Sequence, residues 1–164
     1  MNIGSFLLVV LVVLSARARR TDRTRAAAII WGGWLVITAL VISLSQGIIH
    51  EYYTVALAPA IGALVALGGA ALWRLREHAA ARITLAFVVA GTSVWAAVLL
   101  ARSADWMPWL RYAVLALGIG SALAILVADR LSRRIAGGVL AAALVSALLA
   151  PAAYSLQTAT TAHT

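Results

Sequence analysis

The stretch SQGIIHEYYTVALAPAIGALVALGGAALW, Ser45 to Trp73, sets a His, a Glu and two Tyr directly against twenty residues, Thr54 to Trp73, that carry no charge. A helix rises about 1.5 Å per residue, so roughly 20 such residues cross the ~30 Å hydrocarbon core of a bilayer. The polar and aromatic knot therefore falls at the lip of a membrane span.

The rest of the chain extends this pattern. Of 164 residues, 64% are apolar and only 11% are charged, far from the balance of a soluble domain. The composition predicts an all-α, polytopic transmembrane helix bundle. Six apolar runs mark its spans, at 3–14, 26–45, 53–73, 83–101, 109–128 and 135–154, with a tail at 156–164. The first run is several residues too short. Nothing basic precedes it and Arg17, Arg19, Arg20, Arg23 and Arg25 follow it, the reverse of a signal peptide. It reads as a span truncated at its N-terminal end or one whose start is wrongly assigned; a short, tilted, complete span is the alternative.

All thirteen basic residues are Arg, and the net charge is +8. They lie dispersed in short loops between apolar runs, which points to topology and membrane lipids rather than to nucleic acid. Counted along the chain, the loops and tail hold five, none, three, two, three and no Arg. By the positive-inside rule the His50–Tyr53 knot, the Arg102–Arg111 turn and the C-terminus lie outside, in a multi-pass arrangement.

Small residues recur every four positions on the third span, at Ala58, Gly62, Ala66 and Ala70, a stripe that predicts close helix packing. Gly118 and Ala122 repeat the spacing on the fifth. Pro59 predicts a kink or a late helix start. No charged residue lies mid-span, unlike ion-coupled transporters. There is no Cys, and the three His and five acidic residues show no metal-ligand spacing.

Two clusters can carry chemistry. The first is His50, Glu51, Tyr52 and Tyr53. Tyr hydroxyls and a protonatable His at headgroup level suit a lipid phosphate or a sugar, and Glu51 suits sugar hydroxyls. The second is an outer rim, Arg102, Asp105, Trp106, Trp109, Arg111 and Tyr112, where Trp faces suit sugars and Arg forks suit phosphates. Either is also what an interfacial aromatic belt looks like.

The segment GGWLVITALVISLSQGIIHEYYTVALAPAIGALVALGGAALWR, residues 32–74, resembles the later spans of bacterial GT-C glycosyltransferases, in the protein O-mannosyltransferase and aminoarabinose transferase superfamily, nearest the YkcB-like mannosyltransferases. His50, Tyr52, Tyr53, Leu57, Ala58, Pro59 and Ala60 match a His-Pro-Tyr-Tyr-x-x-x-Leu-Ala-Pro-Ala motif, with Glu51 in place of the first Pro. PAAYSLQTATTAHT, residues 151–164, is similar to the family's exit from its last span.

The resemblance implies transfer of a sugar from a polyprenyl-phosphate carrier to an acceptor on the outer face of the cytoplasmic membrane. It implies a phosphate contact near Tyr53, and a divalent cation in some complete enzymes. The family's catalytic base sits in an outer loop of an N-terminal half that this chain lacks. No catalytic residue is assigned here, the missing half becomes a partner, and the chain alone is expected to be inactive. Two other classes fit the same composition: a non-catalytic membrane subunit or scaffold, and a small transporter.

Overall fold

The computed structural model describes residues 22–47, 50–102 and 107–160. The expected first span at 3–14, together with Arg17, Arg19, Arg20, Asp105, Trp106 and the end of the tail from 161, lies outside the described residues. All regular structure described is helical: α1 (Arg23–Leu44), a 3-10 helix (Glu51–Leu57), α2 (Ala58–Arg74), α3 (Ala79–Ala101), α4 (Pro108–Leu126) and α5 (Arg133–Thr160). Among the described residues, five helical stretches are long and apolar enough to cross a membrane. They correspond to the second to sixth runs.

Local chemistry sets the helix ends. Asp22 caps α1, its Oδ1 accepting from the Arg25 N–H at 2.8 Å. Past Leu44, both the backbone N–H and the hydroxyl of Ser45 donate to the Val41 carbonyl, and Gly47 turns the chain with φ +105°.

The third span starts as a 3-10 helix because of Pro59. An α-helical bond to the Val55 carbonyl would come from residue 59, which has no N–H; the Ala58 N–H serves Val55 instead, one residue short. In the 3-10 register the same proline leaves the Ala56 carbonyl without its donor. The indole Nε1–H of Trp34, on α1, donates to that oxygen at 3.1 Å. The α-helix proper begins at Ala58, so Pro59 sits in its first turn, where a missing N–H costs little.

The chain divides into two compact units, Met1–Ala71 and Leu72–Thr164. In the first, Ala28 and Leu64 are buried against Trp31, Leu35 and Leu67. The packing stripe expected at Ala58, Gly62, Ala66 and Ala70 is not the face used there: all four are exposed, while Ala60, Leu64 and Gly68 are buried. The two rows are offset by two residues, about 200° around a helix, and hence lie on opposite faces. Bulky Leu64, not a small residue, fills the contact with α1.

The second unit packs α3, α4 and α5. Leu100, Leu110, Val114 and Ala150 form its apolar core at one end. At the other end Arg82, in the first turn of α3, reaches the close of α4. Its Nε donates to the Leu126 carbonyl at 2.9 Å and its Nη1 lies 3.3 Å from Asp129 Oδ2. Nη1 also donates to the carbonyls of Arg76 and Glu77, at 2.9 and 3.2 Å. A cation among the last carbonyls of a helix is stabilised by their unpaired lone pairs and by the helix dipole.

Midway along, three helices meet at a polar knot. The hydroxyls of Ser93 (α3) and Ser146 (α5) lie 3.1 Å apart, and Ser146 donates to the Val114 carbonyl of α4 at 3.0 Å. Ser93 also bonds back to its own helix at Val89. Both serines are fully buried, as is the expected small pair Gly118 and Ala122 beside them.

One boundary differs from expectation. The helix of the sixth run does not stop near Tyr154; α5 continues through Pro151 to Thr160, so 156–160 of the expected tail is helical. Ser155, Thr158 and Thr160 each bond a carbonyl four residues back, so their hydroxyls are satisfied within the helix.

Candidate functional site

The Trp34–Ala56 bond sets the depth of the first cluster. Ten residues of α1 from Trp34 to Leu44 rise about 15 Å, and six residues of 3-10 helix from Ala56 back to His50 rise about 12 Å. His50 thus lies within a turn of the level at which α1 ends, at the lip of the span.

At that level the rings of His50, Tyr52 and Tyr53 gather. His50 stacks on Tyr52 at 5.2 Å between centroids and meets Tyr53 edge-on at 5.9 Å. The two Tyr rings touch edge-to-face at 4.7 Å. Such pairs hold each other at about 0.5–1.5 kcal/mol apiece. The Tyr53 N–H donates to the His50 carbonyl at 3.1 Å, closing the first 3-10 turn and bringing residues 50 and 53 together. Tyr52 and Tyr53 are 63% and 44% exposed. The cluster is a three-ring platform with open faces, able to offer hydroxyl and imidazole donors to an acceptor at headgroup level. Glu51 contributes its backbone to the 3-10 helix; its side chain lies outside the described set.

The outer-rim residues fare differently. Arg102 caps the end of α3 and is exposed. Trp109 and Arg111 occupy the first turn of α4 and Tyr112 opens the second, entered through Met107 in the left-handed region (φ 46°) and Pro108. Arg111 closes on Tyr112: Nη2 donates to the phenol oxygen at 2.6 Å and the guanidinium carbon lies 4.6 Å from the ring centroid. Among the described residues no hydrogen bond or ring contact joins Arg102 or Trp109 to that pair. Asp105 and Trp106 fall outside the described residues.

Sequence reasoning missed four residues that organise these regions. Trp34 anchors the segment carrying the ring cluster; Arg82 ties α3 to α4; Ser93 and Ser146 lock three helices. For the serines a signal existed, a hydroxyl in the middle of an apolar run at Ser93 and Ser146. Comparison of the chain with known proteins finds no matching family, no matching curated protein and no matching solved structure.

Proposed function

We propose that this chain supplies the carrier-holding membrane part of a GT-C-type glycosyltransferase, mannosyltransferase-like, acting on a polyprenyl-phosphate-linked sugar at the outer face of the cytoplasmic membrane. One observation carries this reading: His50, Tyr52 and Tyr53 form one exposed ring cluster at the lip of a span. A polyprenyl phosphate keeps its chain in the hydrocarbon and its phosphate at the interface. Donors at that level meet it where the dielectric is low and each hydrogen bond counts for more. Neutral Tyr and a titratable His provide them without the cost of burying a fixed charge. No residue of this chain is assigned as catalytic base. Among the described residues no three His, Cys, Asp or Glu side chains come together.

The test is direct binding. The purified chain in nanodiscs is titrated with a polyprenyl phosphate, alongside Tyr53→Phe and His50→Ala. Saturable binding weakened about tenfold in both variants supports the carrier site, the size of one lost hydrogen bond to a charged group. Equal binding by all three would reduce the cluster to an interfacial anchor.

A second reading, a non-catalytic membrane subunit, is favoured by the outward-facing row Ala58, Gly62, Ala66 and Ala70, which is shaped for close approach of a helix from another protein. It predicts no carrier binding and recovery of a stoichiometric protein partner on mild solubilisation.

A further inference from the structure

We propose that Arg111 is a docking point for the phosphate of an anionic phospholipid, at the end of the second unit opposite the Arg82–Asp129 pair. This does not depend on the carrier-site reading, which concerns the first unit.

The arginines of this unit are not alike. Arg82 is satisfied by three carbonyls and a carboxylate. Arg76 donates to the Trp73 carbonyl and lies over the Trp73 ring. Arg111 has only a neutral partner, the Tyr112 phenol and ring. Its Nε–H is buried and has no acceptor, a state that native proteins generally resolve with a water or an ion. The carboxylates described in this unit are Glu77 and Asp129, which precede α3 and follow α4. Both lie at the other end. Among the described residues no carboxylate pairs with Arg111; Asp105 lies outside them.

The surroundings name the class of anion. Arg111 sits in the first turn of an apolar span, at the depth of a headgroup, and is flanked by Trp109 and Tyr112, each 60% exposed. Indole and phenol rings in that position sit at the boundary between headgroups and chains. A guanidinium takes a phosphate through two parallel N–H bonds. A phospholipid satisfies both demands at once, its phosphate on Arg111 and its acyl chains over the adjoining apolar surface.

Native mass spectrometry of the chain, released from micelles doped with phosphatidylglycerol or phosphatidylcholine, tests this. The wild-type chain should retain one phosphatidylglycerol more tightly than the rest. Arg111→Gln should weaken that molecule about tenfold, and Arg111→Lys, which keeps the charge but loses the fork, by less. Arg130→Gln, at the other end of α4, should leave it in place. Unchanged retention in both Arg111 variants overturns the proposal. Displacement of the lipid by inorganic phosphate overturns it too, by making the site one for a free anion. If Arg111→Gln fails to fold, the Lys variant still decides.

Discussion

The side chain of Ser93 fills the space that a Cβ at position 118 would need: one built on Gly118 would collide with both Cβ and Oγ of Ser93 and come within 2.8 Å of Ser146 Oγ. The glycine and the two serines are thus one device. Gly118→Ala should destabilise the second unit by about 1–3 kcal/mol, the usual cost of overpacking. Adding Ser93→Gly should recover most of that, and adding Ser93→Ala little, because alanine keeps the colliding Cβ. Unfolding titrations in mixed micelles read the difference; equal rescue by both would refute the steric account.

Pro59→Ala restores a donor to the Val55 carbonyl. The segment 51–57 should then wind toward α-helix, turning the Ala56 carbonyl away from Trp34. The Trp34 indole proton should lose its protection from exchange and shift in the NMR spectrum. An unmoved resonance would show that the 3-10 form has another cause.

The value of Arg82 lies mainly in the carbonyls it serves. Removing it by Arg82→Gln should cost about 1.5–3 kcal/mol, as for hydrogen bonds from a charged group. Asp129→Asn, which removes only the partly exposed ion pair, should cost less than about 1 kcal/mol and show little salt dependence of the remainder. Both costs are measured by the same unfolding titration, and the first should exceed the second by at least about 0.5 kcal/mol.

Orientation follows from the arginines. Reporter fusions after Arg76 should report the cytoplasm, and fusions after Thr158 the outer face. An inward C-terminus would remove the ring cluster from the outer face and with it the proposed reaction side.

Five of the six expected spans were legible in the sequence because lipid demands long uncharged runs, and all five are helical among the described residues; the first lies outside them. The late start at Pro59 was legible for a local reason, the absent N–H. The face of α2 that meets α1 was not. In an Ala-rich span small residues recur on several faces, and only the partner surface, here Ala28, Trp31 and Leu35, decides which is used. Nor was the extension to Thr160, where Ser and Thr read as loop residues but bond to their own helix. The gathering of His50, Tyr52 and Tyr53 was legible as a cluster; its tether through Trp34 was not, being a contact 22 residues away along the chain.

The 3-10 segment makes the third span longer than its residue count implies. At about 2.0 Å per residue over 51–57 and 1.5 Å over the rest, the stretch from Glu51 to Arg74 reaches roughly 40 Å. A plain α-helix would need about 26 residues for that distance, two more than are present. Only Thr54–Leu57 of the 3-10 segment belong to the uncharged part of the span, so a bilayer thickness inferred from sequence at a fixed rise is too small here by about 2 Å.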